Sequence, residues 1–391
     1  MTSTNIVDDF PYKNRDPAML EQISTRFRAL MHYVPRFIVM HKSYTIANAP
    51  DMSNAIDLRF ARAYVSTRAR IGAPMLMALH ARDYEKYNLI SDYFIERERI
   101  RAYRGDDPLR ETLYDYWLAN RARITGDSRE YDVKLAREVL YREKLEVGTF
   151  RPTVAIGIFE LARQYIFRST IPRTVEWVLN PCAGWGDRLI GAMAYGVRGI
   201  VDVDPNPALG REYERIEQWA REMRNADETN ASTSSRATTE RRYFAQPFED
   251  VPEHALREAL REIGCTRGEF DLAIIAPPYF DLEVYVPGHA DQSIERYPTF
   301  ERWYSEFLIP LILKSARVLR QGGVIALIIN QSPDARTNES ARFLRRMIHD
   351  VNNAPPYMRY LGVVSYAEVV AQRDRGMHIR SPQPIWIWQK I

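Results

Sequence analysis

Apolar residues recur at two spacings along this chain, helical alone in its first part and alternating with short strand-like runs in the rest. Leu20, Ile23, Phe27 and Leu30 recur at helical spacing. They predict a helix that opens near Asp16 and Pro17 and is interrupted by Pro35. A second helical pattern covers 55–70, carrying Arg59, Arg62, Arg68 and Arg70, and Pro74 suits the first turn of a third helix. Helical patterns continue over 84–103, 115–123 and 134–145, so residues 1–145 read as an all-helical domain. From 146 to 391 the pattern alternates. Helices are predicted over 153–166, 189–195, 211–223, 253–263, 300–319 and 341–351. Short apolar runs predict strands over 176–179, 199–203, 243–245, 270–275, 322–329, 357–366 and 384–389. Strands alternating with helices imply an α/β unit, a mainly parallel sheet of seven strands covered on both faces. The polar stretch 224–242 has no apolar period and reads as a mobile insertion.

Composition narrows the class. At 391 residues the chain is long enough for two domains, and 46% apolar with 27% charged residues is the mix of a soluble globular protein. Nothing resembles a membrane span of about twenty apolar residues, and residues 1–9 lack the pattern of a signal peptide. The expected location is therefore intracellular, cytoplasmic or nuclear, without secretion. Cys182 and Cys265 are too few for a disulfide framework and lack metal-ligand spacing, so no metal is indicated. Net charge is only +3, but the basic residues are mostly arginine, which suits a nucleic-acid partner without requiring one. Arginines and aromatics interleave over 84–103, as they do in some nucleic-acid grooves and also on helices with a charged face over an aromatic core.

The candidate chemistry begins at Trp177-Val-Leu-Asn-Pro-Cys-Ala-Gly-Trp-Gly-Asp-Arg-Leu189. A strand runs into a turn with Gly184 and Gly186, and a helix follows. Glycines there remove the Cβ atoms that would keep a nucleotide-like ligand from the backbone. Tight packing alone also explains such a pair. About twenty residues on, Ile200-Val-Asp-Val-Asp204 is a second strand ending in carboxylates, which suit ribose hydroxyls. A third strand runs into Ala276-Pro-Pro-Tyr279.

With these segments in this order, the chain from Phe150 onward resembles the class I S-adenosylmethionine-dependent methyltransferases. More narrowly, it is similar to the amino-methyltransferases that modify exocyclic nitrogens of adenine or cytosine in nucleic acid. Their first motif is like Asn180 to Gly186, and their catalytic motif is Asp/Asn/Ser-Pro-Pro-Tyr/Phe/Trp. The resemblance implies a Rossmann-like methyltransferase fold with an antiparallel last strand, and S-adenosylmethionine as cofactor. The cofactor would rest on Phe150, Asn180, Pro181, Ala183, Gly184 and Gly186, with Asp204 on the ribose and Gln246 and Phe248 at the adenine ring. It further implies catalysis by Ala276, Pro277, Pro278 and Tyr279, with the Pro277 carbonyl accepting from the target amine and Tyr279 stacking on the base.

Two departures from the family pattern stand out. Ala276 occupies the position of a side-chain acceptor and has no oxygen, so Asp281 or Glu283 would have to substitute for it. Asp187 and Arg188 replace a small residue and a threonine, and are expected to pair across the turn. In the following loop, His289, Gln292 and Ser293 are candidates for reading a base edge. The leading expectation is methylation of N6 of adenine in DNA, with the N-terminal domain aiding recognition. DNA cytosine N4 and RNA adenine follow. A catalytically silent subunit and a protein or small-molecule methyltransferase are the rivals. A dinucleotide oxidoreductase is disfavoured because the turn is not Gly-x-Gly-x-x-Gly.

Overall fold

The computed structural model describes residues 17–39, 44–45, 64–65, 70–72, 75–80, 90–91, 94, 150–167, 174–228, 238–280, 290–329, 338–372 and 376–391. Helix α1 is Pro17–Met31, followed by five short strands: β1 Arg36–Val39, β2 Tyr44–Thr45, β3 Tyr64–Val65, β4 Arg70–Gly72 and β5 Met75–His80. The alternating region follows. Its strands are β6 Trp177–Asn180, β7 Gly199–Val203, β8 Glu240–Phe244, β9 Phe270–Ile275, β10 Leu319–Ile328, β11 Met358–Gln372 and β12 Gly376–Lys390. Its main helices are α2 Pro152–Leu161, α3 Asp187–Tyr195, α4 Leu209–Glu228, α5 Glu253–Glu262, α6 Ile309–Val318 and α7 Asn338–Asn353.

The main sheet has nine strands in the order β1-β5-β11-β12-β10-β9-β6-β7-β8. Strands β8, β7, β6, β9 and β10 are parallel, and β12 is antiparallel to both of its neighbours. The seven strands β6 to β12 form the expected mainly parallel, Rossmann-like sheet. Every residue of β6, β7 and β9 is buried, as expected for mainly apolar central strands covered on both faces, and the polar exceptions Asn180, Asp202 and Asp271 are hydrogen-bonded. Alternate residues feed opposite faces. Val178, Leu272, Ile274, Val324 and Ala326 meet α1 to α4, while Leu179, Ala273, Ile275, Ile325 and Leu327 join the core of α5, α6 and α7. Helices α2 and α3 cross closely because Gly191 has no Cβ, which would stand 2.7 Å from the Pro152 carbonyl oxygen. The helix entering α6 widens to π turns over Trp303–Leu308, just before Pro310, which has no N–H and crowds the carbonyl one turn back.

Three expectations need correction. The region 55–80 is not helical where it is described, since it forms β3, β4 and β5, and β1 and β5 extend the sheet beyond β11. The six-residue apolar run Met75–His80 is too short for periodicity to separate strand from helix, and pairing with β11 satisfies its backbone. The 1–145 segment is therefore not all-helical. Helix α1 also joins the main core, with Phe27 against Trp219 at 5.0 Å between ring centroids. Ile90 and Phe94 are buried in that core, whereas the remaining aromatics and arginines of 84–103 and the patterns at 115–123 and 134–145 lie outside the described residues.

The polar stretch 224–242 is ordered at both ends, with only 229–237 outside the described residues. Arg224 is buried and donates to the Met193 and Ala194 carbonyls at the end of α3. Thr239 donates to the Val197 carbonyl. Periodicity missed these residues because they act through polar side chains. Among the described residues no helix is long and apolar enough to cross a membrane, and no His, Cys, Asp and Glu cluster is arranged for a metal ion.

The amino ends of the central strands are fixed by Asp271, which is fully buried. Its Oδ2 accepts from the Glu176 and Trp177 N–H groups, each at 2.9 Å, and its Oδ1 accepts from Arg320 at 2.6 Å and Arg267 at 2.5 Å. One carboxylate thus ties β9 to the start of β6 and to β10. Removing it takes the countercharge from the buried Arg320 guanidinium and the acceptor from two N–H groups. Asp271→Ala is expected to lose about 3–5 kcal/mol in urea unfolding. Arg267→Ala, at a partly exposed pair, is expected to lose less than about 1 kcal/mol. Equal losses in the two variants would contradict this assignment.

Candidate functional site

The predicted site residues stand at the carboxyl ends of four adjacent parallel strands, where open α/β sheets hold ligands. Asn180 ends β6 and pairs in register with Asp202 of β7. Asp204 follows β7, with its N–H donating to the Phe244 carbonyl at the end of β8. Ala276 to Tyr279 follow β9, the other neighbour of β6. The glycine turn and the Pro-Pro-Tyr segment, remote in sequence, therefore share one edge.

The turn is held from below. Gly184 and Gly186 have φ of 63° and 81°, the left-handed region that glycine enters without strain. Arg188, buried at the start of α3, donates to Asn180 Oδ1 at 2.8 Å and to the Cys182 carbonyl. Asn180 in turn donates to Asp202 Oδ1 at 2.7 Å. The Phe150 ring lies 4.9 Å from the Arg188 guanidinium, which brings the residue before α2 to the turn as expected. The expected Asp187–Arg188 closure is corrected. Asp187 accepts from Ser91 Oγ at 2.5 Å, while Arg188 serves the turn's carbonyl and amide oxygens. An arginine can only donate, and those acceptors need it.

From above, Asp204 Oδ2 accepts from the Gly184 N–H at 2.9 Å and Oδ1 from the Asn206 N–H at 3.0 Å. Tyr213 donates its hydroxyl to the Gly184 carbonyl, and Tyr243 donates to the Asp204 and Asn206 carbonyls. Burial, then the Asp204 and Asp202 charges, push the Tyr213 phenol up, which keeps it a donor. Sequence reading missed Tyr213, Tyr243 and Asn206 because a tyrosine in a helix or edge strand carries no positional signal. Asp202 is raised from 3.8 to about 6, chiefly by burial, with Arg241, the Asn180 hydrogen bond and Arg188 opposing.

Other predicted residues sort differently. Pro181 and Ala183 are buried within the turn, and the Ala183 N–H donates to the Val203 carbonyl at 2.9 Å. Gln246 is half-buried just beyond β8. Phe248 belongs to the α5 and α6 core, with Lys314 Nζ 4.7 Å from its ring centroid, so it serves packing there rather than lining the turn. Its apolar ring is drawn into that core. Pro277 is buried, and Ala276 and Pro278 are half-buried. Ala276 leans on the core of α1 to α4 and Tyr279 on the opposite one. Gln292 and Ser293 are buried at the start of the short helix Ser293–Arg296 and do not form the expected open reading loop. Asp281, Glu283 and His289 lie outside the described residues.

The residues at the turn fit an adenosyl-type cofactor. The Asp204 carboxylate beside the turn is only half-buried, an acidic group of the kind that suits ribose hydroxyls.

No protein-family model matches the chain, and no match is found among curated proteins. Among solved structures it is similar to TrmN from Thermus thermophilus, with 15% identity, 64% of this chain and 52% of that one covered, and a TM-score of 0.32. It is likewise similar to the N-methyltransferase NodS from Bradyrhizobium japonicum, at 10% identity, 55% and 86% coverage and a TM-score of 0.29. The precorrin-6y C5,15-methyltransferase from Geobacter metallireducens gives 15% identity, 61% and 86% coverage and a TM-score of 0.29. Likenesses this distant carry no argument about substrate.

A Cβ at Gly184 would stand 3.3 Å from Arg188 Nη2, on a backbone that L-residues avoid. Gly184→Ala is expected to cost about 1–2 kcal/mol in thermal or urea unfolding. An unchanged midpoint would show that the turn is not held as described.

Proposed function

We propose that the chain is an S-adenosylmethionine-dependent methyltransferase acting on an exocyclic amino nitrogen of a nucleic-acid base, with N6 of adenine in DNA as the first target. The observation that carries the reading is the shared edge. Asn180 to Gly186, Asp204 and Ala276 to Tyr279 come from separate strands and stand side by side at their carboxyl ends.

When bound, the cofactor supplies an electrophilic methyl on a sulfonium. An exocyclic amine is a poor nucleophile because its lone pair is delocalised into the ring. The protein has to hold the nitrogen in line and accept hydrogen bonds from the amino hydrogens. The Pro277 carbonyl is suited to accept one, and the Tyr279 ring to stack on a base taken out of the helix. Asp204 would hold the ribose, and Phe150, Asn180, Pro181, Ala183, Gly184 and Gly186 would shape the turn around the rest of the cofactor.

Ala276 favours a second reading. It lacks an acceptor oxygen, so a silent subunit that binds nucleic acid or a partner is the alternative. RNA adenine and protein targets are further alternatives of the enzyme reading.

The test is transfer of labelled methyl from S-adenosylmethionine to unmethylated duplex DNA, single-stranded DNA and RNA, with mass spectrometry of the product nucleosides. N6-methyladenine from DNA is expected, reduced at least about tenfold by Asp204→Ala at subsaturating cofactor and strongly reduced by Tyr279→Ala, which removes the stacking ring. Ala276→Asn is expected to raise the rate by about 10²-fold, the worth of one transition-state donor or acceptor. No transfer to any of the three, with the cofactor still bound, would overturn the enzyme reading and leave the silent subunit.

A further inference from the structure

Three buried side chains beneath the glycine turn form a hydrogen-bonded chain with a single direction. Arg188 can only donate and an ionised Asp202 can only accept. Asn180 between them must present Oδ1 to Arg188 Nε, at 2.8 Å, and Nδ2 to Asp202 Oδ1, at 2.7 Å. The other end of the guanidinium holds the Cys182 carbonyl inside the turn. Asp202 is fully buried, and its Oδ2 has no hydrogen-bond partner among the described residues. A proton can settle on that oxygen without breaking a bond. Once protonated, Asp202 is neutral: its Oδ1 is a weaker acceptor for Asn180, and the negative charge that helps hold the Arg188 cation beneath the turn is lost, so the clasp on the turn loosens.

We propose that Asp202, acting through Asn180 and Arg188, is a positioning residue for the cofactor turn, which is closed while Asp202 is ionised and opens when it is protonated. The consequence for cofactor affinity rests on the function proposed above, but the opening of the turn does not. The groups facing Asp202 come from every neighbouring element. Asn180 lies on β6, Arg188 on α3, Arg241 on β8, and Glu217 and Tyr213 on α4. Arg241 is itself paired with Glu217 at 3.0 Å, which moderates its pull. Burial sets the carboxyl at about 6 against these charges. A carboxyl raised to that value is ionised above it and protonated below it. The turn is therefore closed at neutral pH and opens as pH falls through about 6.

The test is amide hydrogen exchange by mass spectrometry on the full chain without cofactor, following a peptide across 180–189. Rates are corrected for the intrinsic effect of pH between about pH 5 and about pH 8. Protection of that peptide is expected to fall about tenfold on acidification, the worth of one charge-assisted hydrogen bond. The midpoint is expected near 6. Asp202→Asn should show fast, pH-independent exchange across the peptide. Arg241→Gln keeps the chain and removes an opposing cation, so its midpoint should move to higher pH, and it tests the idea even if Asp202→Asn fails to fold. Protection that stays flat with pH in the wild type, or an unmoved midpoint in Arg241→Gln, would overturn the proposal. If the peptide titrates as expected while S-adenosylmethionine does not bind, the proposed function fails and the positioning role stands.

Discussion

The carboxyl edge of this sheet depends on one buried guanidinium. Arg188 gathers Asn180 and the Cys182 carbonyl from below the glycine turn, and the aromatic face of Phe150 lies against it. Without that cation, a turn with two left-handed glycines would have little reason to keep one shape, since glycine gains the most conformational freedom when released. The carboxylate of Asp204 and the hydroxyl of Tyr213 fix the same turn from above. The turn is thus preorganised by side chains from four elements rather than by its own backbone.

A matching device lies at the opposite end of the same strands. Asp271 ties the amino ends of β6, β9 and β10, with Arg320 and Arg267 balancing its charge. Buried carboxylates therefore bracket the central strands, Asp271 with arginine partners at the amino ends and Asp202 with Asn180 at the carboxyl ends. The amino-end system is saturated with donors. The carboxyl-end system leaves one oxygen of Asp202 unmatched. The unmatched group lies under the functional edge, where polar strain is most often retained.

The alternating half of the fold was legible because its central strands are mainly apolar and its helices amphipathic. Strands β7 and β9 fall on the expected residues, 199–203 and 270–275. The N-terminal half was misread at Met75–His80, where a short apolar run fits either element until a partner strand decides. Of the site, the glycine turn, Asp204 and the Pro-Pro-Tyr segment were visible as local motifs. Arg188 was visible but assigned the wrong partner, because Asp187 is adjacent in sequence while Asn180 is adjacent only in space. Phe248 was misplaced for a similar reason, since spacing from β8 says nothing about which face takes the ring. Tyr213 and Tyr243 were invisible, as their contacts are made only after α4 and β8 pack beside the turn.

Every functional role proposed for this edge depends on its taking up an adenosyl cofactor. Isothermal titration calorimetry of S-adenosylmethionine into the full chain, at about pH 7.5, addresses that most directly. The account predicts one cofactor per chain with a dissociation constant of about micromolar order, weakened at least about tenfold in Asp204→Ala. A folded wild-type chain that takes up no cofactor, or an Asp204→Ala variant that binds it as well as the wild type, would contradict the account.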